Sequence, residues 1–367
     1  MSPRDLRHHV GQLAIAGFSG YSIPSDLRLL AREFDLGGVI FFARNVESPE
    51  QVAELSREAR ALAGEIPLWV SVDQEGGRVA RLKAPFTVWP PMMTLGRSGD
   101  TTLAARFARA LATELQAVGI SLDYTPVLDI HTNPRNPVIG DRALAERAED
   151  VARLGRVIIE TLQNEGIAAC GKHFPGHGDT STDSHHELPI VEHPPDRLEA
   201  VEFVPFREAI EAGVAAVMTA HILVPALDEE RPATLSPAIV NGMLKKKLRF
   251  GGLVLSDDLG MNAISKRYGV PEATVAAISA GCDAVLMCGA AQEPQVAALE
   301  AVIYSVEQGT LPLPRVEDAL ARHRRVKERF LATESAQRSR PLEGRALRAV
   351  LGRDEHQAVA AEMARFA

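Results

Sequence analysis

Four of the chain's eleven histidines fall between residues 173 and 186, inside the stretch KHFPGHGDTSTDSHHELP (172–189). The Gly, Pro, Asp and Ser around them form turns, so the stretch is expected to be an irregular loop. Clustered His and Asp in such a loop suit a metal, an acid–base centre or a phosphate site. As zinc ligands, His173, His177, Asp183, His185 and His186 would be numerous enough. Their spacing, however, matches neither H-E-x-x-H nor the Cys/His patterns of structural zinc. Lys172 also sets an ammonium beside His173, which opposes a dication, so no metal or other cofactor is expected. As an acid–base centre, Asp183-Ser184-His185 is apt. A carboxylate two residues away can accept the imidazole proton, fix the tautomer and favour the protonated ring. His185 could then act as an acid near neutral pH. A purely structural loop would account for the Gly and Pro but leave Lys172, His173, Asp183 and His185 without a reason.

Other chemistry-bearing residues stand at the ends of apolar runs. Asp73 ends WVSV, Asp123 and Asp129 lie in ISLDYTPVLDI, and Arg142 follows in NPVIGDR. Lys172 and His173 end AACG, His221 ends AVMTA, and Asp257 with Asp258 ends LVLS. Singly, each reads as a cap or an ion-pair partner. Together they require an architecture that gathers strand ends at one face.

The elements that would gather them follow from one recurring pattern. An Ala-rich amphipathic stretch ends at Gly, and a short apolar run follows at once. The pattern occurs at Gly37-Gly38 before VIFFA, Gly119 before ISLDYTPVLDI and Gly166 before IAACGKHF. It returns at Gly213 before VAAVMTAHI, Gly251-Gly252 before LVLSDD and Gly281 before CDAVLMCG. Gly just past a helix end takes the left-handed cap conformation at little cost, and a continuous apolar run is a buried parallel strand. With QLAIAGF and PLWVSVDQ, eight strands alternate with helices. No G-x-G-x-x-G follows the first strand and no phosphate-binding P-loop is present, so a doubly wound sheet is disfavoured. The expected fold is α/β, a single-domain (β/α)8 TIM-type barrel with its polar groups in the loops after the strands.

Bulk properties narrow the partners. A chain of 367 residues with 46% hydrophobic and 24% charged residues can bury a full core. The net charge of −8 argues against nucleic acid and anionic membranes as partners. No apolar run is long enough to span a bilayer, and the first residues do not read as a signal peptide. Three cysteines without paired spacing fit a reducing compartment. A cytoplasmic protein, most simply a monomer, is expected.

The motifs DQEGGRVAR (73–81), GDR (140–142), KHFPGHGDTSTDSHHELP (172–189) and LSDDLGM (255–261) resemble, in this order, those of glycoside hydrolase family 3. The nearest likeness is to its single-domain bacterial β-N-acetylhexosaminidases of cell-wall recycling. The resemblance implies a retaining exo-β-N-acetylglucosaminidase that works through a glycosyl-enzyme intermediate. Its substrate would be a small glycan such as a GlcNAc-terminated muropeptide. Asp257 would be the nucleophile, with Asp258 as rival. Because side chains alternate along a strand, only one of the two is expected to face the axis. The acid/base role falls to His185 supported by Asp183, with Glu75 and Glu187 as the conventional carboxyl alternatives. Asp73, Arg81, Arg142, Lys172 and His173 would bind the sugar's hydroxyl and acetamido groups. His177 and His186 receive no assignment. A phosphorylase that uses phosphate in place of water, or a β-glucosidase, is the alternative within the family.

Residues 1–335 are expected to form the barrel, and 336–367 a helical tail. The segment GRDEHQAVAAEMARFA resembles the linker toward the second α/β domain that many family members carry. A barrel acting without that domain would draw its acid from one of its own loops.

Overall fold

The computed structural model describes residues 2–331 and 340–367. Eight parallel strands close a barrel: β1 (Ala14–Ala16), β2 (Gly38–Phe41), β3 (Trp69–Val72), β4 (Leu122–Asp123), β5 (Ala168–Phe174), β6 (Ala216–Thr219), β7 (Leu253–Asp258) and β8 (Ala284–Met287). Each strand pairs with its neighbours in chain order, and β8 closes on β1 through Ala14 to Ala16 against Val285 to Met287. Every strand is one of the expected apolar runs, and the fold is the expected (β/α)8 barrel.

The helix-end signals divide by mechanism. Gly119, Gly166, Gly213 and Gly281 take positive φ as expected. At the other two boundaries the positive φ falls on Asp35 and Arg249 instead. Gly37 and Gly252 are there for close packing, since a Cβ would lie 2.3 Å from the Gln12 carbonyl oxygen and 2.5 Å from that of Ala215.

Side chains on alternate strand positions fill the barrel. Ile15, Ile40, Trp69, Leu122, Met218, Leu253 and Leu286 form one buried cluster, which Val326 and Phe330 of the helix Leu313–Leu331 close at the strands' N-terminal ends. Phe330 meets Trp69 with ring centroids 6.4 Å apart, and Phe330→Ala would cost about 3–5 kcal/mol. This plug leaves the strands' C-terminal ends as the open face.

The tail boundary expected at 335/336 lies outside the described residues. From Pro341 onward the chain lies against the barrel: Leu342 N donates to the Ala117 carbonyl at 2.9 Å, and the helix Asp354–Ala364 follows. Glu114, buried on the helix Thr101–Ala117, accepts from Thr87 N (2.8 Å) and Gly352 N (2.9 Å) and pairs with His356 Nδ1 (2.8 Å). Among the described residues, no helix is long and apolar enough to cross a membrane.

Candidate active site

The open face holds a cavity of about 520 Å3 whose walls include Asp73, Arg81, Arg142, Lys172, His173, His177, Ser184, His185, Asp257 and Asp258. All the residues expected to bind sugar, together with Asp257 and His185, therefore meet in one place, and Asp183 stands behind His185.

Asp73 is carried on the end of β3, and a short hairpin (Gln74–Gly76 with Val79–Ala80) follows. Gln74 fixes that hairpin: its N donates to Asp123 Oδ1 at 2.9 Å, and its Oε1 accepts from Arg81 N (2.8 Å) and Leu82 N (3.0 Å). Arg81 is thereby turned back over Asp73, Nη2 to Oδ2 at 3.4 Å, with its guanidinium 5.5 Å from the Phe42 ring centroid. Lys172 is buried and donates to Asp73 Oδ1 at 2.8 Å while lying 2.5 Å from Glu75 Oε1. Burial works against the ammonium, but Asp73 and Glu75 outweigh it and hold its pKa above the ordinary value. Glu75 is itself clamped by Arg142 (2.8 and 2.9 Å). Burial would raise its pKa, yet Arg142 and Lys172 keep it far below the carboxylate range. A carboxyl group so fully ionised has no proton to give, which sets Glu75 aside as an acid. Glu187, the other carboxyl alternative, is exposed and absent from the cavity wall.

Two strands depart from regular alternation at their functional residues. Between β7 and β8, Leu255 pairs with Ala284 but Asp258 pairs with Leu286, so β7 carries one extra residue. Between β5 and β6, Gly171 pairs with Val217 but Phe174 pairs with Thr219, again one extra. Such bulges re-aim side chains. As a result both Asp257 and Asp258 reach the cavity wall, and so do both Lys172 and His173. The expectation that alternation would turn one of the two aspartates away is thus corrected.

Hydrogen bonding separates the two aspartates instead. Asp258 Oδ1 accepts from Cys288 N and Gly260 N, both at 3.0 Å, and burial raises its pKa. Asp257 accepts from Asp258 N at 2.8 Å. Burial would raise its pKa too, but the fields of His221 and His173, that hydrogen bond and Lys172 bring it below the ordinary value. Asp257 thus accepts one backbone N–H where Asp258 accepts two, and the two carboxyl groups are shifted in opposite directions.

In the 172–189 loop, His185 Nδ1 lies 2.7 Å from Asp183 Oδ1, which also accepts from His185 N at 2.8 Å. With Nδ1 engaged, Nε2 is the nitrogen left for a substrate. The His185 side chain is 62% exposed, and burial acts on Asp183 against a stronger lowering by His185. His173 gives its N and Nδ1 to Asp129, the ring contact being 2.6 Å. Among the described residues, no group of three or more His, Cys, Asp or Glu side chains is disposed to hold a metal ion. Three of the loop's four imidazoles are engaged separately: His173 with Asp129, His177 with Thr180 and Ser184, and His185 with Asp183.

The model of the glycosyl hydrolase family 3 N terminal domain matches residues 5–326. The chain belongs to glycosyl hydrolase family 3. Within that family, a beta-hexosaminidase of Nitrosomonas eutropha is 41% identical over 259 residues, 69% of this chain and 74% of that protein. A family 3 beta-N-acetylglucosaminidase from Paenibacillus sp. superposes with a TM-score of 0.90 at 43% identity, covering 98% of this chain and 68% of that one. NagZ from Neisseria gonorrhoeae, solved in complex with N-trifluoroacetyl-D-glucosamine, gives 0.75 at 34% identity over 96% and 97%.

Three residues around this family 3 site receive no role from the sequence alone. Asp129 was noted only as a strand-region acid, yet its carboxylate holds both His173 and His177 N (2.6 Å). Ser184 lies between Asp183 and His185, and its hydroxyl contacts His177 Nε2 at 3.1 Å. His221 is buried, with Nε2 donating to the Asp258 carbonyl at 2.9 Å and Nδ1 2.8 Å from Thr234 Oγ1. Its standing at a strand end was the one available signal.

Proposed function

We propose that this glycoside hydrolase, a family 3 β-N-acetylhexosaminidase, acts as an exo-β-N-acetylglucosaminidase that retains anomeric configuration. What supports the reading is the meeting of Asp257, the Asp183–His185 pair and the Asp73–Lys172–Arg142–His173 cluster in one cavity. The Asp257 carboxylate attacks C1 of the terminal sugar. The bond from C1 to the aglycone oxygen breaks, its electron pair leaves with that oxygen, and the oxygen takes a proton from His185 Nε2. Neutral His185 then removes a proton from water as the water oxygen bonds to C1 and Asp257 leaves as a carboxylate. Asp73 and the cations around it bind sugar hydroxyl and acetamido groups, each charge-assisted bond being worth about 1.5–3 kcal/mol.

The substrate we assign is a GlcNAc-terminated muropeptide or small glycan, handled in the cytoplasm during cell-wall turnover by a monomer. The barrel, residues 1–335, is the catalytic unit in this reading, and 336–367 an appended tail. The deciding experiment is mass spectrometry after a 5-fluoro N-acetylglucosaminyl donor. A label on Asp257 is expected, and a label elsewhere would overturn the nucleophile. Free GlcNAc should be the product with or without phosphate. GlcNAc-1-phosphate formed in its presence would make the enzyme a phosphorylase.

A further inference from the structure

His177 lies between the sugar-binding side of the cavity and the acid/base loop. On one side its backbone N donates to Asp129 Oδ1 at 2.6 Å, and the same carboxylate takes the N and Nδ1 of His173. The two imidazoles also meet edge to face, with centroids 6.0 Å apart. On the other side the His177 ring reaches Thr180 Oγ1 (2.7 Å) through Nδ1 and Ser184 Oγ (3.1 Å) through Nε2. The Thr180 hydroxyl donates to the His177 carbonyl at 3.1 Å. That leaves Nδ1–H as the donor to Thr180, and Nε2 as the acceptor of the Ser184 hydroxyl. The ring is buried, and burial pushes its pKa down to about 4, so it stays neutral and keeps these polarities.

The turn beneath His177 is fixed independently. Asn136 Nδ2 donates to the carbonyls of His177 (2.8 Å) and Gly178 (3.0 Å) and to Thr180 Oγ1 (3.2 Å). A Cβ on Gly178 would fall 1.7 Å from the Ile130 carbonyl oxygen, so only Gly fits there. Beyond this turn, Ser184 is the residue between Asp183 and His185. It is held by His177 at its hydroxyl and by Ala263 N at its carbonyl (3.1 Å).

We propose that His177 is a positioning residue for the acid/base: tied to His173 through Asp129 and to the loop through Ser184, it seats the Asp183–His185 pair in register with the bound sugar. This rests on the glycosidase reading above, with His185 as acid. The consequence is selective. A misplaced acid harms departure of a leaving group that needs a proton, and spares one that leaves as a stable anion.

The test compares kcat/KM of Ser184→Ala with that of the unaltered enzyme on two substrates. Chitobiose has a sugar leaving group that needs the proton. The 2,4-dinitrophenyl N-acetylglucosaminide does not. Loss of the single hydrogen bond is expected to lower kcat/KM on chitobiose about 3- to 10-fold and on the dinitrophenyl substrate by less than about twofold. His177→Gln, which removes the ring, should widen the gap, while inhibition by free GlcNAc stays unchanged in Ser184→Ala. Equal losses on both substrates, or no loss on chitobiose, would overturn the proposal and leave the glycosidase reading standing. Failure of the unaltered enzyme to cleave either substrate would overturn the glycosidase reading and this inference with it.

Discussion

Arg142 holds Glu75 with two hydrogen bonds, Nε to Oε2 at 2.9 Å and Nη2 to Oε1 at 2.8 Å, while Lys172 closes on the same carboxylate. The arrangement is a network of two cations and two carboxylates, completed by Asp73, in which Lys172 and Glu75 are buried and Arg142 and Asp73 partly so. Such pairs are costly to break, because removing one partner strands the others without water. Arg142 and Lys172, the cations proposed to bind the sugar, are thus held in place by a carboxylate that does not itself line the cavity.

Glu75→Gln is therefore expected to lower stability by roughly 3–5 kcal/mol, the cost of breaking a buried ion pair. Chemical denaturation would measure it. Sugar binding should weaken as Arg142 and Lys172 lose their anchor, and the loss should be the same for good and poor leaving groups. If Glu75 were the acid, the substitution would instead spare stability and harm only poor leaving groups.

The two adjacent aspartates should respond differently. Asp258 accepts from two backbone N–H groups through a single oxygen, and an Asn carbonyl can do the same. Asp258→Asn is expected to retain activity within about tenfold, whereas Asp258→Ala should cost about 1–3 kcal/mol of stability. Asp257→Asn removes the carboxylate proposed to attack C1 and is expected to lower kcat by on the order of 10^3-fold or more. Steady-state kinetics on an aryl N-acetylglucosaminide separates them. Comparable losses from Asp257→Asn and Asp258→Asn would contradict the division of roles.

The barrel was legible because its signals are local: each strand is a continuous apolar run, and a Gly stands before six of them. Boundaries were less so, since a left-handed residue need not be Gly, as Asp35 and Arg249 demonstrate. Several residues that line the cavity, Asp73, Lys172, His173, Asp257 and Asp258, were legible as residue types at strand ends. Their connections were not, because Asp129 and His177 are 48 residues apart in sequence and meet only through folding. The bulges in β5 and β7 were also beyond reach. Period-two alternation is a property of a regular strand, and an extra residue announces itself only in the pairing with the neighbour.

Stability should carry a pH signature from His177. Its pKa falls from 6.5 to about 4 on folding, chiefly through burial, so between those values the unfolded chain binds a proton that the folded ring refuses. Where the unfolded state binds more protons, stability rises with pH. This contribution is lost progressively as pH falls from about 6.5 to about 4, up to roughly 3 kcal/mol in all. Asp257 and Asp183, with lowered pKa values, add losses only below the ordinary carboxylate range. Urea denaturation from pH 7 to pH 4 should therefore show a steeper decline in the unaltered protein than in His177→Gln, which has no proton to gain in that window. Identical slopes would mean that another buried group, of which His221 and His323 are the nearest in kind, sets the acid sensitivity.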